Sequence, residues 1–293
     1  MPESAEKLTV LHREFVLSRD DESRRNCQDM DRKHARQIRR LAQKGVATVG
    51  DLIVALPDLP ASSQDLGIWL IFVLKIPRAA SALRKLLLNP RVRVQVAWTL
   101  DFMRPRPNTD RILLKHGRRE LDSAQPDRSW LDAAVQGLAN SESAEAADML
   151  VTIYERTDLP GRLRGDAADK LGCVSLVHDR RRRLYRRCRD GAMRGIFEDD
   201  IEVQFWSMYL LMILAKRNGR ETHFIDRDLA PALPRLKQIA AEDHRLAPGY
   251  WWPMSAEAED AISCIEHGCQ LQPDAADRWI HNTERGEPAS RGT

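Results

Sequence analysis

Leu159-Pro-Gly-Arg-Leu-Arg-Gly-Asp-Ala-Ala-Asp-Lys-Leu-Gly172 and Glu198-Asp-Asp-Ile-Glu-Val-Gln-Phe-Trp-Ser-Met-Tyr-Leu-Leu-Met-Ile-Leu-Ala215 are built to one plan. Each opens on helix-starting residues, Asp158 and Pro160 in the first, Asp199 or Asp200 in the second. An aspartate cap satisfies a backbone N–H that the first helical turn leaves unpaired, and a proline there removes one. Each then carries a small residue, Ala168 or Ser207, three positions before a leucine, Leu171 or Leu210. Between them lies an arginine-rich helix capped by Asp179. The pattern predicts two helices of one register flanking a third, which is one unit of a helical repeat.

The same grammar extends outward. Cys27, Met30, His34, Ile38 and Leu41 form one helical stripe within residues 20–44, backed by a basic face that includes Arg36, Arg39 and Arg40. Thr48, Ser62 or Ser63, Pro77 and Asn89-Pro90 open further helices. Thr109 or Asp110 caps a helix to Leu121, with Arg104-Pro-Arg-Pro107 before it as a linker. Asp127 caps residues 128–139, and Ser141 or Ser143 starts a helix to Arg156. Asp228 and Pro231 open a helix to Asp243, Ser255 caps another that Gly268 stops, and Asp274 caps a short last one. No stretch alternates cleanly between turn residues, so no strand is predicted. The expected fold is all-α with about fourteen helices.

In alternate helices a small or apolar residue precedes Leu or Ile by three positions: Ile71/Leu74, Ala97/Leu100, Val135/Leu138, Ala168/Leu171, Ser207/Leu210 and Ile262/Ile265. The second members lie 26, 38, 33, 39 and 55 residues apart. Spacings of roughly 30–40 are those of two-helix repeats that stack into solenoids. One helix pair cannot bury its apolar face alone, whereas stacked pairs share a continuous core.

Arg164-Gly-Asp-Ala-Ala-Asp-Lys-Leu-Gly172 and Arg93-Val-Gln-Val-Ala-Trp-Thr-Leu100 resemble the second helix of HEAT-like repeats of the phycobilisome-lyase type. Val203–Leu210 and Trp252–Ala261 resemble more degenerate copies. Arg93 and Arg164 match the repeat's arginine, and Leu131, Val203 and Ala258 replace it elsewhere. The resemblance implies a HEAT/armadillo-like α-α superhelix over residues 46–270, with a helical extension over 1–45 and a short helix and tail over 271–293. It further implies a concave face that binds a protein.

Composition narrows the functional classes. The chain has 293 residues and a net charge of +3, so nucleic-acid affinity would need a local basic patch. The apolar runs Leu66–Leu74 and Phe205–Ala215 are shorter than the roughly 20 residues that span a bilayer. The polar N-terminus shows no signal-peptide pattern, and five scattered cysteines suit reduced thiols, so a cytoplasmic location is expected.

The sharpest local feature is Asp179–Arg189, with Arg180, Arg181, Arg182, Arg183, Arg186, Arg187 and Arg189 as candidate binding residues. Clustered guanidinium groups grip phosphates and carboxylates. The competing reading is an amphipathic outer helix whose buried edge is Leu184, Cys188 and Ala192, its arginines solvated or paired with neighbouring acids. Cys264, His267 and Cys269 have no standard zinc spacing and lack a fourth ligand, so Cys264 reads as a buried thiol. His34 reads as a core histidine. The chain contains no His-Glu dipeptide, no G-x-S-x-G, no H-E-x-x-H and no glycine-rich phosphate loop. No catalytic residue, cofactor or metal is therefore assigned. Bilin-lyase-like or glycosylase-like chemistry, the latter around Trp98 or Trp206, stays open on the same fold. The first expectation is a non-enzymatic scaffold binding a protein partner. The alternative is a nucleic-acid-binding solenoid using residues 180–189.

Overall fold

The computed structural model describes residues 68, 71, 79–103, 107–174, 183–215, 226–248 and 252–267. The expectations for residues 1–45 and 271–293, including the basic face near Arg36 and the setting of His34, lie outside these residues. Among the described residues there are ten α-helices and no strand, the only β-type pairing being an isolated bridge between Leu246 and Pro253.

The helices are α1 (Ala80–Leu86), α2 (Arg93–Asp101), α3 (Pro107–Leu121), α4 (Arg128–Leu138), α5 (Ala144–Glu155), α6 (Gly161–Cys173), α7 (Arg183–Gly195), α8 (Ile201–Ala215), α9 (Leu233–Glu242) and α10 (Met254–His267). Their starts follow capping chemistry. Asp127 accepts from the Ser129 N–H at 3.0 Å, and Ser143 accepts from the Glu145 N–H at 3.2 Å. Asp200 accepts from the N–H groups of Glu202 and Val203 at 3.0 and 3.2 Å. Three starts differ from expectation. Pro107 belongs to α3, where its fixed φ suits a first turn, rather than to a linker. The segment opened by Asp228 and Pro231 begins as a 3-10 turn, Ala230–Ala232, before α9. Ser255 lies within α10, which starts at Met254.

The helices pack in two series. α2, α4, α6, α8 and α10 contact one another in order, as do α3, α5 and α7. Each member of the second series also packs on the helix after it: α3 on α4, α5 on α6, α7 on α8, with α9 on α10. The small/apolar register explains the first series. Ala97, Val135, Leu138, Ala168, Leu171, Ser207, Leu210 and Ile265 are all inaccessible to solvent, with Leu100 nearly so. Ile262 is half-buried.

α8 is enclosed by α6, α7 and α10 and is apolar on nearly every side. A hydroxyl junction lies within its core-facing side. Tyr154 and Ser207 share a hydrogen bond of 2.6 Å, and Ser207 donates to the Val203 carbonyl at 2.5 Å. A Cβ at Gly195 would stand 2.0 Å from the Ser207 oxygen and 2.6 Å from that of Tyr154, so α7 can approach only as glycine there.

Ala168 sits at 0 % exposure where α6 enters this stack. Ala168→Arg must overpack the core or bury an unpaired charge. The expected outcome is a loss of about 3 kcal/mol or more, read as a fall in melting temperature, and an unchanged melting curve would contradict the register described above.

Candidate functional site

The arginine-rich segment divides. Arg180, Arg181 and Arg182 lie outside the described residues. Arg183 and Arg186 are exposed on α7. Arg187 is turned into the protein. Its guanidinium donates to Glu155 at 2.6 Å and to Thr152 at 3.2 Å, and it also pairs with Asp148. Arg194 joins Glu155 at 3.6 Å, and Arg189 pairs with its neighbour Asp190 at 2.8 Å. Burial works against the charge on Arg187, but the Glu155 and Asp148 carboxylates outweigh it and raise its pKa. The buried edge of α7 is Tyr185, Cys188 and Ala192, with Leu184 only half-buried, so Tyr185 belongs to that edge and the stripe is rotated slightly from expectation. Burial pushes the Cys188 thiol up to about 12.

What receives Arg187 is a stripe on α5. Asp148, Thr152 and Glu155 recur at helical spacing, four and then three residues apart. One turn earlier on α5 the device repeats towards α3, where Glu145 accepts from Arg118 at 3.0 Å. The charges therefore alternate across this layer: basic α3, acidic α5, basic α7. The α5 stripe was visible in the sequence as a periodic pattern, although its partner was not.

A second set of polar contacts ties the other series together. Arg93 of α2 is 4 % exposed, and Arg164 of α6 is 5 % exposed. Each bonds backward to a carbonyl and forward to a carboxylate 34 residues later. The Arg93 Nε donates to the Leu87 carbonyl at 2.8 Å, and its Nη1 donates to Asp127 at 2.8 Å and also to Ser129. The Arg164 Nε donates to the Tyr154 carbonyl at 3.0 Å, and its two Nη groups grip Glu198 at 2.6 Å each. The fork geometry of a guanidinium allows one side chain to satisfy both partners. In α8 the role passes to Gln204, one residue beyond Val203. Its Nε2 donates to the Ile196 carbonyl at 3.1 Å, and its Oε1 accepts from Arg245 at 2.8 Å.

Around Arg93 the tie includes aromatic contacts. Its guanidinium lies 4.0 Å from the Trp130 ring centre, and His116 stacks on Trp130 at 4.0 Å with an interplanar angle of 6°. The His116 Nδ1 is buried without a hydrogen-bond partner among the described residues. Burial first, then Arg119, Lys115 and Arg93, lower the His116 pKa against the opposing pull of Glu120.

The α4–α6–α8 series carries Asp132, Asp166 and Glu202, all half-buried. Burial is the main reason that each carboxyl is raised above its usual range, with Asp166 adding to the effect on Asp132 and Glu202. The exposed Arg162 acts on all three in the opposite direction. Trp206 and Tyr209 are half-buried on α8, edge to face at 5.5 Å. A groove of about 470 Å³ runs beside α9, lined in part by Arg235 and Arg245. Both arginines are engaged there: Arg235 with the Ile196 carbonyl at 3.1 Å, and Arg245 with Asp243 at 2.6 Å.

One expectation is corrected. Cys264 is buried but disulfide-bonded rather than a free thiol, so its sulfur is not available as a thiolate ligand. Periodicity could place it on the apolar side of α10 but could not reveal a covalent partner. His267 is at the end of α10, and Cys269 lies outside the described residues. No group of three His, Cys, Asp or Glu among the described residues could hold a metal, and none of the described helices is long and apolar enough to cross a membrane. No protein family, curated protein or solved structure matches the chain.

The His116 setting generates a pH dependence. Its folded pKa is below the unfolded value of about 6.5, so the unfolded chain takes up the proton more readily. Stability from this site is therefore full above that value and is lost as pH falls through the folded pKa. The His116 site should lower the melting temperature as pH falls from neutral towards about pH 5, and His116→Phe, which keeps the stack on Trp130, should remove that contribution from the curve. An unaltered slope in the variant would contradict the assignment.

Proposed function

We propose that the chain is a HEAT/armadillo-like α-solenoid that serves as a non-catalytic scaffold. It holds a protein partner on a concave face formed by α2, α4, α6, α8 and α10. The observation that carries this reading is the tie made by Arg93 and again by Arg164, with the same 34-residue reach from one helix pair to the next. A contact that repeats with the chain favours an array of like units over a fold built around one pocket. The engagement of Arg187 with α5 favours the structural reading of the arginine-rich helix, because that side chain serves the packing of α7. The second reading, nucleic-acid binding, rests on the exposure of Arg183 and Arg186.

Paired charge reversals separate the two. Arg162→Glu with Lys170→Glu changes α6, and Arg183→Glu with Arg186→Glu changes α7. In affinity capture from the native host, the α6 variant should lose the principal protein partner while the α7 variant keeps it. Anisotropy with labelled duplex DNA should show weak binding at low salt that vanishes near 150 mM, where exposed charges are screened over about 8 Å. Tight DNA binding at that salt, abolished by the α7 reversal, would overturn the scaffold reading in favour of the second.

A further inference from the structure

The basic residues of the chain are not spread evenly. No Asp or Glu occurs between Asp65 and Asp101, a stretch that holds Lys75, Arg78, Arg84, Lys85, Arg91 and Arg93. Over residues 66–119 twelve lysines and arginines stand against two carboxylates, Asp101 and Asp110. The whole chain carries only +3, so the remainder is acidic on balance. Both carboxylates are engaged within the fold. Asp101 accepts from the Asn140 N–H at 3.2 Å, and Asp110 accepts from the Ser141 hydroxyl at 2.7 Å. An imbalance of this size, gathered in the segment that forms α1, α2 and most of α3, makes a local field that the net charge conceals.

Pairing decides which cations are available. On α7, Arg187, Arg189 and Arg194 are each drawn to a carboxylate. On α2 and α3 the buried Arg93 is held by Asp127, and Arg118 by Glu145. Lys85 on α1, Arg91 in the turn after it, and Arg111 and Lys115 on α3 are exposed, and among the described residues none of the four pairs with a carboxylate. Arg111 reaches the Asn108 side chain at 3.4 Å. Arg111, Lys115 and Arg119 recur every fourth residue, so they line one side of α3 about 6 Å apart. Arg119 touches Glu120 yet keeps 65 % of its side chain exposed. The stack of Arg93, Trp130 and His116 joins this part of α3 to the end of α1. Arg93 donates to the Leu87 carbonyl at 2.8 Å and lies 4.0 Å from the Trp130 ring centre, and His116, the neighbour of Lys115, stacks on the same ring at 4.0 Å. The end of α1 and the second half of α3 therefore border one surface.

We propose that this surface binds the phosphate backbone of a nucleic-acid duplex without reading its sequence. Unpaired lysines and arginines gain from phosphates by releasing the counterions condensed on them. A duplex offers about one charge per 1.7 Å of its axis, twice the density of one strand, and a line of cations along α3 suits a linear polyanion. The alternatives fit less well. A protein interface buries an apolar centre and is depleted in lysine. Here the exposed large apolar residue among the cations is Leu88, while Trp98 and Phe102 lie towards the other end of α2. One leucine does not make the apolar face that a bilayer-bound helix buries. The surface is separate from the α6 charges assigned to a protein partner, so it holds or fails independently of the scaffold reading. It also differs from the α7 arginines, most of which serve packing.

The test is the salt dependence of binding by the full chain to a short labelled DNA duplex of arbitrary sequence, read by anisotropy from about 20 mM to about 150 mM salt. If Lys85, Arg91, Arg111 and Lys115 each meet a phosphate, log Kobs falls against log salt with a slope of about −3 to −4. Lys85→Ala with Lys115→Ala should lessen that slope by about two and weaken binding at low salt by about tenfold or more. Arg91→Ala with Arg111→Ala should do the same, which keeps the test decisive should one pair misfold by circular dichroism. Arg183→Glu with Arg186→Glu should keep the wild-type slope, and a duplex of unrelated sequence should bind equally well. Capture of a protein partner through α6 should be unchanged in both alanine pairs. Absence of duplex binding at about 20 mM salt overturns the proposal. So does a folded alanine pair that keeps the wild-type slope, or loss of the slope in the α7 variant. Binding to phosphatidylcholine–phosphatidylserine vesicles but not to the duplex, lost in the same alanine pairs, would overturn it in favour of a lipid surface.

Discussion

The grip of Arg164 on Glu198 is the contact on which the middle of the structure depends. A guanidinium at 5 % exposure is stable there only because every side of it is answered, by the Tyr154 carbonyl behind and by both oxygens of Glu198 ahead. Its Nε fixes where α5 ends relative to α6, and its Nη groups fix where α8 begins. Arg93 does the same for α1, α2 and α4, using Asp127 and Ser129. The hydrophobic register sets which helix faces meet. The arginines set how far along the helix axis they meet, which apolar packing of alanine and leucine specifies only loosely. The partially exposed Glu198 also places this tie at the boundary between core and solvent, where a guanidinium keeps its charge.

The other layer solves the same problem differently. Its helices are spaced by surface charge, with α5 supplying acids to basic neighbours on either side. An exposed pair such as Arg118–Glu145 contributes little individually, of the order of 0–1 kcal/mol, whereas the Arg187–Glu155 pair is largely withdrawn from solvent. Their value lies in order, since an acidic α5 fits between basic α3 and basic α7 and not the reverse. This accounts for part of the arginine excess in α7 without a ligand. The two layers therefore differ in kind: α3, α5 and α7 are laced by charges between helices, while α4, α6 and α8 carry the half-buried carboxyls Asp132, Asp166 and Glu202 beside the exposed Arg162.

Much of the fold is legible in the sequence because it rests on local chemistry. Asp127, Ser143 and Asp200 are caps wherever they are read, and pairs such as Ala168/Leu171 mark buried faces by spacing alone. Pro107 and Ser255 mislead for the same local reason, since proline and serine serve equally in loops and in first turns. The site was less legible. Arg164 stands out beside Arg93 at the matching place of a similar stretch, but its partner Glu198 is 34 residues away and no local signal marks it. Gln204 sits one position beyond Val203 and carries no charge to attract notice. Arg187 looks identical to Arg186 in the sequence, and only the position of α5 decides that one is paired and the other exposed.

The central claim is that the buried arginine couples successive helix pairs, and a double-mutant cycle on Arg164 and Glu198 tests it most directly. Arg164→Met leaves Glu198 and the Tyr154 carbonyl without their donor, and Glu198→Gln leaves the guanidinium without its counter-charge. Removing one partner of a buried ion pair costs about 3–5 kcal/mol, towards the lower end here because Glu198 is partly solvated. The expected result is that each single change destabilises by about 2–3 kcal/mol in urea unfolding, while the double change costs much less than their sum, a coupling above about 1 kcal/mol. Strictly additive effects, or Arg164→Met unfolding at the wild-type urea concentration, would show that the helix pairs are held in register without the arginine.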